Sequence, residues 1–342
     1  MLTIDGAKGE GGGQILRTAL AGSLLTGKPF RIERIRARRR RPGLLHQHLA
    51  AVEAAAMIAG AETRGARLGS PALTFEPGDV RPGTYGFAIG TAGSTGLLLE
   101  TVLVPLLAAG GVSELVIEGG THNQAAPPFE FLDLTLAPLL GGMGANLSLD
   151  LERPGFYPAG GGRIRVRTRG ARWRPLDLRE RGPLRSIRAR AMVSGLPIAI
   201  AERELAVVRT ELGRQPLTLS AEEVEATGPG NVLLLVVDSE HITEVFSGFG
   251  RRGVPAEQVA MTAIEQARRY LDSGAAAGAH LADQIVLPLT QSGGGAFRTL
   301  PPTDHFKTNI EVLAGFFELD IRTRRVDETV MIECEVAGIP AR

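Results

Sequence analysis

The sequence predicts a mixed α/β protein in which one plan, βαβαββ, is used three times, with a smaller α/β unit inserted in the third copy. Three observations lead there. Short alternating runs and segments of helical apolar periodicity follow one another in the same order along the chain. The first two copies each take roughly 80 residues, closer to a small α/β domain than to a solenoid repeat. The chain has 342 residues, more than one hydrophobic core usually serves.

In order, the first copy reads as strand 2–5, helix 14–25, strand 30–35, helix 44–59 and a strand pair at 63–66 and 72–75. Helix 14–25 puts Ile15, Leu16, Ala19, Leu20 and Leu24 on one face. The second copy reads as strand 85–89, helix 94–108, strand 114–118, helix 129–140 and strands 146–151 and 162–168. The third closes the chain with helix 281–290, strand 296–299, helix 309–316 and strands 318–323 and 329–336. Its opening strand is expected near 172–178, far upstream, and that gap implies the insertion. Strands 186–193, 217–225, 232–239 and 242–247 and helices 199–212 and 255–271 make up the inserted unit. The small-residue run Asp272-Ser273-Gly274-Ala275-Ala276-Ala277-Gly278 reads as its return linker. The expected organisation is a large domain of residues 1–181 and 277–342 and an inserted domain of residues 182–276, since exposed turns tolerate insertion.

Hydrophobic residues make up 44% of the chain and charged residues 22%, as in folded globular proteins. The formal net charge is +1, so attraction to an anionic polymer has to come from a local patch. The single cysteine, Cys334, excludes an internal disulfide framework and a thiol metal cluster, and its alternating surroundings predict a packed strand residue. No apolar run is long enough for a membrane span, and the N-terminus lacks the apolar core of a signal peptide. A soluble, cytoplasmic protein is the expectation.

Three stretches carry chemical content. The first is Gly9-Glu10-Gly11-Gly12-Gly13-Gln14-Ile15-Leu16-Arg17, between strand 2–5 and helix 14–25. Glycines admit a close neighbour, and the helix start favours an anion. Glu10 is a hard oxygen ligand for a divalent cation, and Arg17 can reach back to a phosphate. The stretch matches neither the P-loop nor the dinucleotide-binding fingerprint, so phosphate binding and a plain strand-to-helix turn both fit. The second runs from Arg34 to His48 and holds six arginines between a strand end and a helix start, followed by Gln47 and His48. Guanidinium forks match phosphate oxygens, and the shared unit with the glycine loop favours a phosphate site over a solvated face. The third is Leu300-Pro301-Pro302-Thr303-Asp304-His305-Phe306-Lys307-Thr308-Asn309. Thr303 or Asp304 can cap the helix that follows. An imidazole beside a carboxylate can be a nucleophile or base, although spacing alone favours a capping turn with a surface histidine. Two smaller stretches are the Gly119–Pro128 rim, by default a structured loop, and His280-Leu281-Ala282-Asp283-Gln284, where Asp283 can cap a helix or accept from a ribose or base. His46, His122 and His241 have no ligand-like spacing.

Together these residues resemble the RNA 3′-terminal phosphate cyclase family over essentially the whole chain. The matching pieces are GEGGGQILRTAL, IRA with RPGLLHQHLAAVEAA, FAIGTAGST, TVLVPLL, GGTHN with APP, GFYPAGGG, ERE, HLADQ and the His of HFKTN. The resemblance implies three units like the C-terminal domain of translation initiation factor three, plus an inserted smaller α/β domain. It implies a ligase that converts an RNA 3′-terminal phosphate to a 2′,3′-cyclic phosphodiester with ATP and a divalent metal, Mg²⁺ or Mn²⁺. The expected course is an adenylated histidine, then an RNA–phosphate–adenosine anhydride, then attack by the vicinal 2′-OH. Carried over by position, His305 resembles the nucleophile and Glu10 the metal ligand. Arg17, Arg36, Arg39, Gln47 and His48 resemble the phosphate pocket. Pro127, His280, Leu281, Ala282, Asp283 and Gln284 resemble the adenosine wall. Glu100 takes a nucleotide-contacting position where the family often has Gln, and as a carboxylate it can accept from a base but not donate. His280 stands where an aromatic residue is common, and Pro154 where Arg or His often precedes GFYPAGGG. The resemblance involves no membrane and leaves room for a homodimer. Two other classes fit less well: a non-catalytic RNA-binding relative, which lacks the nucleophile, and an enolpyruvyl-type transferase, whose motifs do not occur here.

Overall fold

The computed structural model describes residues 1–9 and 11–336. The first copy holds β1 (Leu2–Asp5), α1 (Gln14–Thr26), β2 (Phe30–Glu33), α2 (His46–Ala59), β3 (Glu62–Arg64) and β4 (Leu73–Glu76). The second holds β5 (Thr84–Ala88), α3 (Thr95–Ala109) and β6 (Ser113–Gly119). It continues with α4 (Phe129–Phe131), a π-helical turn (Leu132–Leu136), α5 (Ala137–Gly142), β7 (Ala145–Arg153) and β8 (Gly162–Ala171). The third opens with β9 (Leu176–Leu178). The inserted segment follows: β10 (Leu184–Ser194), α6 (Ala199–Leu212), β11 (Leu217–Glu223), β12 (Gly230–Ser239), β13 (Thr243–Phe249) and α7 (Ala256–Ser273). The third copy then resumes with α8 (Ala279–Ser292), β14 (Gly294–Thr299), α9 (Asp304–Leu313), β15 (Leu319–Val326) and β16 (Thr329–Val336).

Three sheets have one topology: β1-β2-β4-β3, β5-β6-β8-β7 and β9-β14-β16-β15. In each, the first strand is parallel to the second, and the closing pair is antiparallel. The fourth sheet, β11-β10-β12-β13, has a different order. Its central strand, β12, is a continuous apolar run, and both faces are used because successive side chains alternate. Val232, Leu234 and Val236 join the main core, while Leu233, Leu235 and Val237 join a second cluster under α6 and α7. The sheet of the inserted segment therefore lies against the main body on one face. α3 is the buried helix of the main core, with twelve of its fifteen residues buried, so its sequence shows no polar stripe. Cys334 is buried in β16, as its alternation predicted.

Several boundaries differ from expectation for local reasons. Strand 30–35 stops at Glu33, because Arg34 and Arg36 take left-handed backbone φ values of 55° and 53°. Helix 129–140 contains a π-helical turn just before Pro138, which has no N–H to donate to the carbonyl four residues back. Helix 309–316 instead spans Asp304–Leu313, because Thr303 is its N-cap, accepting from the Phe306 N–H at 3.0 Å.

The inserted segment is tied to the start of α8 through a buried acid. Glu244 on β13 is 2% exposed, and its Oε1 accepts the Gly278 N–H at 2.5 Å. Burial pushes this carboxyl from its ordinary 4.5 up to about 8, while N–H bonds from Gly278 and Val245 pull the other way. A raised acid pKa costs stability as pH rises from about 4.5 through 8, and the cost is complete above that window. Glu244→Gln keeps an acceptor oxygen without the charge. It should add on the order of 2–4 kcal/mol at pH 9 and little at pH 5, read by urea denaturation at both values. Equal effects at the two pH values would refute the assignment.

Candidate functional site

Two glycines of the loop before α1, Gly9 and Gly13, sit where close approach requires them. Gly9 has φ 56°, and a Cβ there would lie 2.3 Å from Thr308 Oγ1 on α9. A Cβ on Gly13 would lie 2.3 Å from His48 Nε2 and 3.0 Å from Arg17 Nη1. The loop of the first copy thus touches the His305-bearing helix of the third and the start of α2. One turn into α1, Arg17 donates from Nη2 to Gln14 Oε1 at 2.7 Å.

The start of α2 supplies the second group. The Leu45 N–H donates to His48 Nδ1 at 3.1 Å, so the neutral ring carries its proton on Nε2, the atom beside Gly13. Burial, with Arg17 and Arg36 adding to it, pushes the His48 pKa down to about 3. His48 is therefore a neutral donor at physiological pH. Gln47 Oε1 accepts the Ser94 N–H at 3.3 Å and so joins the first copy to the N-cap of α3. Arg36 Nη1 donates to the carbonyls of Arg41 at 2.5 Å and Gly43 at 3.1 Å. Part of its fork braces its own strained loop, a duty the sequence did not suggest.

The third group comes from α8 and α9. Thr303 Oγ1 donates to Asp283 Oδ1 at 3.0 Å while capping α9, and Asn309 Nδ2 donates to the Asp283 carbonyl at 3.2 Å. Asp283 lies inside α8, whose N-cap is Gly278, so it does not cap that helix. Burial raises its carboxyl to about 7, against the pull of the Thr303 hydroxyl. The protein around His280 and the nearby His305 imidazole lower the His280 pKa, although the residue is solvent-exposed. His305 is exposed in the first turn of α9.

These groups converge on one open cavity of about 1060 Å³. The first copy contributes Arg17, Arg36, Arg39, Gln47 and His48; Pro127 comes from the second; His280, Asp283, Gln284 and His305 come from the third. Leu281 and Ala282 are absent from the lining: they are buried in the core, and helical periodicity places positions 280, 283 and 284 on the open face. Glu100 lines a smaller adjoining cavity that shares Gln14, Arg17, Asp283 and Gln284 with the large one. Its Oε1 is buried without a hydrogen-bond partner among the described residues. Burial raises its pKa to about 7, opposed by Arg17 and by a bond from Gln284, with Asp283 raising it further. Burial thus favours the protonated, donor-capable form of Glu100 far more than its ordinary value would.

Sequence reasoning did not assign Gln14, Arg41 or Tyr157, all of which line the large cavity. Gln14 and Tyr157 lie inside the GEGGGQILRTAL and GFYPAGGG pieces and Arg41 inside the basic run, but only the fold brings the three to one cavity. Glu10, the expected metal ligand, lies outside the described residues. Among the described residues, no three His, Cys, Asp or Glu side chains form a metal-binding group. No described helix is long and apolar enough to cross a membrane.

The bracing by Arg36 can be separated from ligand binding. Arg36→Ala should destabilise the ligand-free protein by about 1–2 kcal/mol, seen as a lower Tm. Arg38→Ala, exposed on the same basic run, should leave Tm unchanged. Equal Tm values for Arg36→Ala and the parent protein would refute the bracing.

The profile of the family described as RNA 3′-terminal phosphate cyclase matches residues 8–323. A relative from Pseudomonas fluorescens bearing that name is 51% identical over 98% of this chain and 98% of its own length. Relatives of the same name from Koribacter versatilis and Salmonella agona are 50% and 46% identical, covering 92% and 97% of this chain and 90% and 96% of their own lengths. Among solved structures, the enolpyruvyl transferase NikO from Streptomyces tendae matches with a TM-score of 0.40 and 13% identity. That match covers 97% of this chain, which spans 47% of the transferase. The family match over residues 8–323 and near-full-length identities of about one half lead to one conclusion: this chain belongs to the RNA 3′-terminal phosphate cyclase family.

Proposed function

We propose that the chain is an ATP-dependent cyclase that converts an RNA 3′-terminal phosphate to a 2′,3′-cyclic phosphodiester through an adenylated His305. The observation that carries this reading is the sharing of one cavity by His305 with Arg17, Arg36, Arg39 and the neutral donor His48. A histidine can attack phosphorus, and arginine forks and a neutral imidazole can hold the phosphate oxygens. In the first step a His305 nitrogen bonds the α-phosphorus of ATP and pyrophosphate leaves. In the second, an RNA 3′-phosphate oxygen takes the AMP group and frees His305. In the third, the 2′-OH bonds the RNA phosphorus and AMP leaves. Splitting the work matters because a phosphate monoester has no good leaving group until AMP is attached.

His280, Asp283 and Gln284 are assigned to the adenosine wall with Pro127, and Glu100 to the base through the neighbouring cavity. Glu10 is the assigned metal ligand; a bound Mg²⁺ or Mn²⁺ would neutralise phosphate charge. Residues 182–276 are read as an inserted domain within a large domain of residues 1–181 and 277–342.

Mixing the protein with ATP and Mg²⁺ should yield an acid-labile, alkali-stable AMP adduct, placed on His305 by mass spectrometry. His305→Ala should abolish the adduct and reduce cyclisation to background while retaining ATP binding. AMP on another residue, or an active His305→Ala protein, would overturn the reading. A second outcome concerns Glu100. Its carboxyl loses the donated proton as pH rises through about 7, so the KM for ATP should rise several-fold between pH 6 and 8.5. Glu100→Gln should remove that rise and use ATP at least as well. A parent protein with a flat profile would exclude Glu100 from base contact.

A further inference from the structure

The large cavity exceeds what the adenylation residues occupy. Its volume of about 1060 Å³ lies at the upper limit, about 1000 Å³, of sites that enclose one drug-sized ligand. The inserted segment lines a large part of it and has no task in the nucleotide chemistry above. β13 presents Val245, Ser247 and Phe249, alternate residues on one strand face. α7 presents Gln258, Thr262 and Gln266, each four residues after the last and hence on one helix face. Gln266 Nε2 donates to the Ser247 carbonyl at 3.3 Å, which fixes strand and helix as one wall. The loop between them adds Arg251, the one charge this segment brings to the described lining, with no carboxylate. Tyr157, from the second copy, lines the same space and is 71% exposed.

An exposed aromatic ring, a second ring on the wall, neutral amide and hydroxyl groups and an arginine form the set that binds single-stranded nucleic acid. Bases stack on the rings, cations meet backbone phosphates, and amides meet base edges. A mononucleotide anchored at the arginines and His305 would leave this wall uncovered. We propose that the wall of β13 and α7, together with Tyr157, holds the single-stranded RNA immediately preceding the terminal phosphate. Tyr157 and Phe249 stack its bases, Arg251 meets a backbone phosphate, and Gln258 reads a base edge or ribose. The inserted segment thereby sets the preference for a polynucleotide end over a free nucleotide. This inference rests on the proposed cyclase reaction.

The test compares a decanucleotide and a dinucleotide, both ending in a 3′-phosphate, as substrates. The parent protein should show a lower KM for the decanucleotide. The double variant Tyr157→Ala/Arg251→Ala should raise that KM about tenfold or more and bring it near the dinucleotide's, with the loss in KM rather than kcat. Arg251→Ala alone should reduce the slope of log affinity against log salt by about 0.7, as expected for one lost phosphate contact on a single strand. Arg209→Ala on α6, outside the cavity lining, should change neither value. An unchanged decanucleotide KM in the double variant would overturn the inference, as would an equal rise for both RNAs or a rise in the KM for ATP instead. A parent protein that cyclises neither RNA would sink the cyclase reading itself, and this inference with it.

Discussion

A chain of hydrogen bonds between the first and third copies, buried at Thr18–Asn309 and partly buried beyond, underlies the site. Thr18 Oγ1 on α1 donates to Asn309 Oδ1 on α9 at 2.7 Å, and Asn309 passes the connection to the Asp283 carbonyl on α8. Thr303 closes the circuit by donating to the Asp283 side chain while capping the helix that bears His305. Polar groups buried at such a junction are costly unless each is satisfied, so the three helices have one arrangement that meets the demand. That arrangement sets the first turn of α9 beside the glycine loop. The close contact between Gly9 and Thr308 is the steric counterpart of the same junction.

The electrostatics follow from this packing. Burial first, with Arg17 and Arg36 adding to it, depresses His48 and keeps it neutral, so the cavity gathers positive charge on guanidinium groups and leaves this imidazole as an uncharged donor. Nearby, burial holds Glu100 and Asp283 partly protonated around pH 7. A site with fixed cations and weakened acids suits an anionic ligand with several phosphates. A net charge of +1 does not reveal this, because it sums over the whole chain and is blind to where the guanidinium groups gather.

The inserted segment is joined to this arrangement through one face of β12, which meets the main core, and through Glu244 on β13, which accepts from Gly278 at the start of α8. Burying one face of its sheet on the main core turns what could have been a tethered module into a wall of the cavity. The units built on the repeated sheets supply the arginines, His48 and His305 of the cavity, and the segment whose sheet breaks the repeat supplies further surface beyond them.

The three-copy plan was legible because each copy announces itself locally. Alternation in β6, the apolar helix α3 and glycines at turns are properties of neighbouring residues, and helix α6 fell on its expected residues, 199–212. The cavity-lining stretches were legible in part, since GEGGGQ and the basic run stand out by composition, whereas spacing alone favoured a plain capping turn at His305. Their convergence was not, because it depends on contacts between residues nearly three hundred apart, such as Thr18 and Asn309. Three further results came from the tertiary structure alone. Arg36 spends part of its fork on its own loop. Leu281 and Ala282 face the core, while their neighbours face the cavity. Burial pushes the Glu100 carboxyl up to about 7. The first reflects a local turn whose backbone conformation composition does not announce, and the other two reflect burial by distant parts of the chain, which sequence determines only after the chain has folded.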